Sequence, residues 1–300
     1  MALPPPVKAL AAPADLPRRL ALMRTRSSLG RRDTHDGYTV GPRDGNPLPV
    51  KDVDPLKLPD YLIIGAMKTG TSSVHRYLCQ HPAVFPSKSK ELDFFTTHYR
   101  RGLGWYMQNF RGDVSGEASP NYMKLHLWPK TAARIREHVP NARLLCVLRN
   151  PIDRTLSHYL HNVWRGRESR PFSVAVRPDS NFVMTSRYSW QLDHYLNHFP
   201  SEQLLLVTTE ELDRSPDRTM SRILQFVGVD DAVAIDTSKR HNVTNVKLAA
   251  AGAPVPADPA ISVADRIRLT ADARAGLAAE FRPDVERLKS VWPEFPGWQL

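Results

Sequence analysis

The chain runs to 300 residues, of which 41% are hydrophobic, so it can bury one sizeable core in a single large domain, with or without tails. Its formal net charge of +10 calls for an anionic partner, such as a nucleotide, an acidic glycan, a lipid headgroup or a nucleic acid. Cys79 and Cys146 are its only cysteines, which excludes a disulfide framework and a cysteine zinc site; both fall in apolar-periodic segments as small buried hydrophobes, and a reducing cytoplasm is the expected compartment.

Residues 1–58 are rich in Pro, Arg and Ala, lack sustained periodicity, and are expected to form a largely disordered arm. Within it, Leu16 to Arg26 has the pattern of a short basic amphipathic helix, which would give the arm weak contact with an acidic membrane surface. No apolar run reaches the ~18 residues needed to span a bilayer. Prolines interrupt the alanine-rich run near residue 10, so no signal peptide is expected. The folded domain is expected over 59–300.

Tyr61 to Ile64 is a run of four apolar residues and reads as a short buried strand. Gly65 and Gly70 bracket a turn, and Ser73 to Cys79 has helical spacing, with Val74, Tyr77 and Leu78 on one face. A strand, a glycine turn and a helix start bring backbone N–H groups and the positive end of a helix dipole to one point, a geometry that binds phosphate or sulfate. Thr69, Thr71, Ser72 and Ser73 add hydroxyl donors, and Lys68 adds a full charge. The nucleoside-triphosphate loop reads G-x-x-x-x-G-K-[ST]. Here Gly65 and Gly70 keep that spacing, but Thr71 stands where the lysine belongs and the lysine has moved inside the loop, to Lys68. An ATP or GTP loop is therefore disfavoured.

Ser87 to Phe95 places Glu91 between lysines on one side and Asp93, Phe94 and Phe95 on the other. This carboxylate is either a solvated loop residue or a general base, whose proton affinity the rings would raise and the lysines moderate. A short strand ends near Gly116, and Glu117 just beyond it is either a second acid/base or a loop anchor. Trp128 to Val139 reads as an amphipathic helix. Leu144 to Leu148 is a continuous apolar run, as in a strand covered on both faces. Asn150 suits an N-cap and Pro151 a first helical turn, followed by Ile152, Leu156, Tyr159, Leu160 and Val163 at helical spacing. Arg149 thus lies at the carboxyl end of a strand, where α/β sheets bind ligands, and Ser157 lies two turns into the helix. Ser186 to Phe199 reads as a helix; its His194 and His198 are one turn apart but lack a third ligand, so they read as surface histidines. Gln203 to Val207 is another buried strand, Ser215-Pro216 opens a helix through Val227, Lys239 to Asn242 is a polar loop, 249–259 is a proline-rich break, and Ala271 to Val291 is a last helix.

Over about residues 58–292 these stretches resemble the sulfotransferases that use 3′-phosphoadenosine-5′-phosphosulfate (PAPS). Tyr61 to Ser73 resembles their 5′-phosphosulfate loop, with the lysine before the second glycine. Leu148-Arg-Asn-Pro-Ile-Asp-Arg-Thr-Leu-Ser-His-Tyr159 resembles their 3′-phosphate motif, arginine and serine at the same spacing. Lys90-Glu91-Leu-Asp-Phe94-Phe95, then Tyr99 and Gly102-Leu-Gly-Trp105-Tyr106, resembles the heparan-sulfate-type carbohydrate branch and its bacterial relatives. Two departures stand out: Thr96 where an aspartate is common, and Ala118 where a lysine usually follows the glutamate. The resemblance implies an α/β fold with a P-loop-like parallel sheet flanked by helices on both faces. It implies in-line transfer of a sulfuryl group from PAPS to an acceptor hydroxyl of a carbohydrate, glycolipid or secondary metabolite, leaving PAP. Lys68 would face the leaving oxygen, with Thr69, Gly70, Thr71 and Ser72 around the 5′-phosphosulfate. Glu91 would be the base, Arg149 and Ser157 would hold the 3′-phosphate, Tyr188 would lie near the donor, and Lys239 and Arg240 would close over the nucleotide. Neither a metal nor a nucleic acid enters this scheme. Two alternatives draw on the same features: a P-loop nucleotide or small-molecule kinase, which would need Mg²⁺, and a non-catalytic polyanion binder, whose affinity would be salt-dependent.

Overall fold

A computed structural model describes residues 57–239 and 269–300, together with the backbone of two short strands before them. The chain divides into two units, Met1–Gly41 and Pro42–Leu300. In the first, β1 (Thr34–His35) pairs antiparallel with β2 (Tyr38–Thr39). The remainder of the arm, the basic helix expected over 16–26, Arg240 and the break at 249–259 lie outside the described residues.

The second unit is built on five parallel strands: β3 (Tyr61–Gly65), β4 (Val84–Pro86), β5 (Val114–Ala118), β6 (Arg143–Leu148) and β7 (Leu204–Thr208). Their order across the sheet is β4-β5-β3-β6-β7, so the strand leading into the glycine turn is central. It is joined on one side to β5 (Ile63 opposite Ala118) and on the other to β6 (Gly65 opposite Cys146). Parallel strands need crossover connections, and helices supply most of them. In chain order the crossover helices are α1 (Thr71–Leu78), α2 (Leu103–Met107), α3 (Thr131–His138), α4 (Pro151–Trp164), α5 (Phe172–Ala175), α6 (Asn181–Met184) and α7 (Tyr188–Leu196), and α8 (Thr209–Arg214), α9 (Pro216–Val227) and α10 (Ala271–Val291) follow the last strand.

Both faces of the sheet are covered, which is why β3, β6 and β7 read as apolar runs. On one face Tyr61, Ile63, Leu145 and Val147 pack with Val74 and Leu78 of α1 and with Ile223 and Leu224 of α9. On the other, Leu62, Ile64, Leu144 and Cys146 pack with Phe94, Phe95, Ile135, Leu192, Val285 and Leu288. The strict alternation of these two sets is the two-residue period of a strand read on a doubly covered sheet.

Three sequence expectations shift. The helix expected from Trp128 starts at Thr131, because Pro129 biases the residue before it away from helical backbone. Cys79 is exposed at the end of α1 and is not a core residue, whereas Cys146 is buried in β6. The short helices α2, α5, α6 and α8 were not anticipated, since segments of four to six residues carry too few repeats to show a period.

Candidate active site

The chain leaves β3 at Gly65, where a Cβ would lie 2.6 Å from the Cβ of Met123, closer than a side chain tolerates. Ala66 N–H then donates to Val147 O of β6 at 2.8 Å. The Thr69 hydroxyl lies against the Ala66 carbonyl at 2.7 Å and the Val147 carbonyl at 2.6 Å and is fully buried. Thr69 therefore staples the loop to the neighbouring strand. Lys68 and Gly70 both take positive φ, 73° and 93°. Alternating left-handed residues curl a backbone so that successive N–H groups converge, an anion-binding concavity. Gly70 is the N-cap of α1 and has no side chain to cap the first-turn N–H groups, the usual arrangement where a helix start receives an anion. Lys68 is half-buried on this rim.

The end of β6 lies beside this turn. Asn150 caps α4, accepting from Ile152 N at 3.0 Å, and the expected Pro151 opens the helix. Arg149 is half-buried, and Ser157, two turns on, is 2% exposed. Tyr188 is buried, and its hydroxyl donates to Arg149 O at 2.9 Å, so this residue holds the arginine's backbone. Lys239 is exposed; its carbonyl accepts from the Tyr77 hydroxyl at 3.0 Å, fastening that segment to α1.

Several residues that support this region escaped the sequence reading. The Thr209 hydroxyl lies between Thr69 O (2.6 Å) and Leu148 O (3.0 Å), clasping the turn to the end of β6 from the start of α8. Its neighbour Glu210 accepts from Asn150 N at 2.9 Å. Arg154 is wholly buried and donates to Ser186 Oγ, to Phe182 O and, at 3.4 Å, to Met67 O in the turn. Asp284 of α10 accepts from Tyr188 N (2.8 Å), Ser189 N (3.1 Å) and Ser189 Oγ (2.6 Å), capping α7; burial pushes its carboxyl up from the ordinary range. The capping-box pattern at Thr208–Glu211 was the one local signal for α8.

On the other flank of β3 lie the two carboxylates. Glu91 is exposed and pairs with Lys90 at 2.5 Å. The expectation that aromatic rings press on it is corrected. Phe94 and Phe95 are completely buried, with Phe94 stacked on Tyr106 at 4.4 Å. Glu117 is 0% exposed. It accepts from the Tyr106 and Tyr122 hydroxyls, both at 2.7 Å, and from Ser119 Oγ at 2.5 Å. Burial pushes its carboxyl up to about 7 against the pull of those three hydroxyls. A carboxylate so enclosed does not meet an acceptor, so of the two roles open to Glu117 the geometry favours the anchor. His194 and His198 have ring centroids 5.3 Å apart, and among the described residues no group of three His, Cys, Asp or Glu is placed to hold a metal.

Lys68, Arg149 and Glu91 thus lie at or beside the carboxyl ends of adjacent parallel strands. Lys68 follows β3, Arg149 follows β6, and Glu91 is next to Lys90, whose carbonyl accepts from Ala118 N at 3.0 Å at the end of β5.

A family model described as "Sulfotransferase domain" matches residues 58–248. The human bifunctional heparan sulfate N-deacetylase/N-sulfotransferase 2 is 34% identical over 199 residues, 58% of this chain and 22% of the relative. The membrane-associated sulfotransferase kil1 of Dictyostelium discoideum is 36% identical over 124 residues, 39% of this chain and 26% of the relative. The crystal structure of a sulfotransferase from Alicyclobacillus acidocaldarius superposes with a TM-score of 0.62 at 29% identity, covering 78% of this chain and 96% of that one. The chain therefore spans about a quarter or less of the length of these curated relatives. The membrane association of the second relative overturns the expectation of a cytoplasmic protein. Two unpaired cysteines say that the fold is not stapled, not which compartment holds it. Among the described residues, no helix is long and apolar enough to cross a membrane.

Proposed function

Because this chain belongs to the sulfotransferase-domain family and is a PAPS-dependent sulfotransferase, we propose that it delivers the sulfuryl group to a hydroxyl of a carbohydrate-type acceptor, with Lys68, Arg149, Ser157 and Glu91 as its working side chains. The observation that carries this reading is the fastening of the 65–70 turn to β6 through Ala66 N and Thr69 Oγ, both on Val147 O. It keeps the N–H concavity and Lys68 beside the strand end bearing Arg149, so one ligand with anionic groups at two ends can touch both.

In this scheme the acceptor oxygen attacks sulfur as the bond from sulfur to the bridging phosphate oxygen breaks. Glu91 takes the acceptor proton. Charge grows on the departing oxygen, where Lys68 and the turn N–H groups meet it without reorganising. Arg149 and Ser157 hold the 3′-phosphate, the group that separates PAPS from ATP, and Tyr188 contributes by holding the Arg149 backbone. Lys239 stands at the edge of the nucleotide side, tied to α1 through Tyr77. The choice of acceptor is supported by the heparan sulfate named for the human relative and by the +10 charge, which favours an acidic polymer.

Two measurements test this. PAP should raise thermal stability and AMP should do so far less; equal effects would remove the 3′-phosphate assignment. A PAPS-fed panel of glycans, glycolipids and small phenols, read by mass, should show one added sulfuryl group on a glycan. Sulfation confined to the phenols would overturn the acceptor class.

A further inference from the structure

Glu91 is exposed, and its side chain pairs with its neighbour Lys90. A base needs a fixed position as much as a suitable proton affinity. The backbone on both sides of Glu91 is held by one short stretch. Before it, Lys90 O accepts from Ala118 N at 3.0 Å. After it, Leu92 N donates to Glu117 Oε2 at 3.1 Å, and Asp93 N donates to Ser119 Oγ at 3.0 Å. Ser119 in turn donates to that same Oε2 at 2.5 Å. Three consecutive residues at the end of β5 therefore bracket Glu91. Two of the three ties converge on one carboxylate oxygen. The other oxygen is filled by Tyr106 and Tyr122.

A carboxylate has about four acceptor positions, and here four donors take them. One comes from the loop backbone, one from β5's own extension, one from α2 and one from the turn after β5. A side chain enclosed in this way does not reach a substrate proton, but it fixes everything that donates to it. We propose that Glu117 is the positioning residue of the base: through Leu92 N–H, and through Ser119 to Asp93 N–H, it sets where Glu91 projects. This rests on the reading of Glu91 as base. It also replaces the alternative in which Glu117 is itself the acid/base.

The test uses the full chain and measures PAP release from PAPS, with an unsulfated, fully N-acetylated heparosan, whose acceptor groups are hydroxyls, and with water alone. Five variants are compared: Glu91→Gln, Glu117→Gln, Glu117→Leu, Ser119→Ala and the double variant Glu91→Gln/Ser119→Ala. Glu117→Gln keeps an oxygen for Leu92 N–H and Ser119 and turns its amide toward the tyrosine hydroxyls, so it should retain turnover within about threefold. Glu117→Leu should lose about 10–100-fold in turnover with an unchanged PAPS KM, the scale of an ångström-level misplacement. Should Glu117→Leu fail to fold, Ser119→Ala removes the bridge alone and should lower turnover in the same sense. In Ser119→Ala, hydrogen exchange at the Asp93 amide should speed up. The double variant Glu91→Gln/Ser119→Ala should be no slower than Glu91→Gln, since a residue acting through the base has nothing to act on once the base is gone.

A Glu117→Gln variant as slow as Glu117→Leu would make Glu117 an acid/base and overturn the proposal. Multiplying effects in the double variant would overturn it too, as would full turnover in both Glu117→Leu and Ser119→Ala. A near-normal Glu91→Gln would instead remove the base assignment itself, a separate and recognisable failure.

Discussion

Glu117 makes a measurable statement about stability as well as about geometry. Its carboxyl is raised from 4.5 to about 7 in the folded chain, with burial the largest cause. Between those two values the folded protein holds one proton more than the unfolded chain. Stability from this group is therefore fully present below about pH 4.5, declines by about 1.4 kcal/mol per pH unit as pH rises, and is lost above about pH 7. The whole change is about 3 kcal/mol, a large part of the 5–15 kcal/mol that typically holds a domain together. Glu117→Gln cannot titrate and lacks this slope. The assay is urea unfolding of both proteins at a series of pH values, with the difference in free energy plotted against pH. Taking the difference matters because other groups titrate in the same window. Burial lowers His75 to about 4, so its contribution rises with pH, opposite to that of Glu117, and cancels between the two proteins. Asp93, also buried and raised, faces Glu117 and is common to both. The native advantage over Glu117→Gln should fall by about 3 kcal/mol from about pH 4.5 to 7. A flat difference, or one that grows with pH, would refute the claim that burial outweighs the hydroxyl donors.

Arg149→Ala should weaken PAP binding by about 1.5–3 kcal/mol and leave AMP binding nearly unchanged, as read by calorimetry. Lys68→Ala should lower turnover more than PAP affinity, because its strongest contact forms as charge develops; an intact turnover number with a raised donor KM would make it a binding residue only. Asp284→Ala leaves the N–H groups of Tyr188 and Ser189 at the start of α7 without their acceptor. It should cost about 1–3 kcal/mol of stability and raise the PAPS KM, because Tyr188 holds the Arg149 backbone. Circular dichroism melting and initial rates check both halves.

Local order along the chain carries two of the units that build the site. The β3–turn–α1 unit follows from an apolar run, two glycines at fixed spacing and a helical face, all within one stretch. The strand–Arg149–Asn150–Pro151–helix unit follows from an apolar run and a cap. The bounds of α10, Ala271–Val291, match the expected ones, helped by Thr270, which accepts from Ala273 N. A parallel sheet covered on both faces was legible because β3, β6 and β7 are apolar runs.

Tertiary structure decided the rest. Glu91 and Glu117 look equivalent in sequence, each a glutamate near a strand end. Only the packing of α2 and the turn after β5 encloses one and leaves the other at the surface. Thr209 and Asp284 reach the donor side from 140 and about 95 residues away, and no local pattern announces a hydroxyl or carboxylate that will meet its partner across such a separation. Arg154 reads as one more charged helix residue until α6 and the turn close over it. Cys79 has a helical, apolar neighbourhood yet lies at the helix end, where solvent begins. Local propensity acts over a few residues, whereas burial and hydrogen-bond partnership depend on which distant segments the fold brings together.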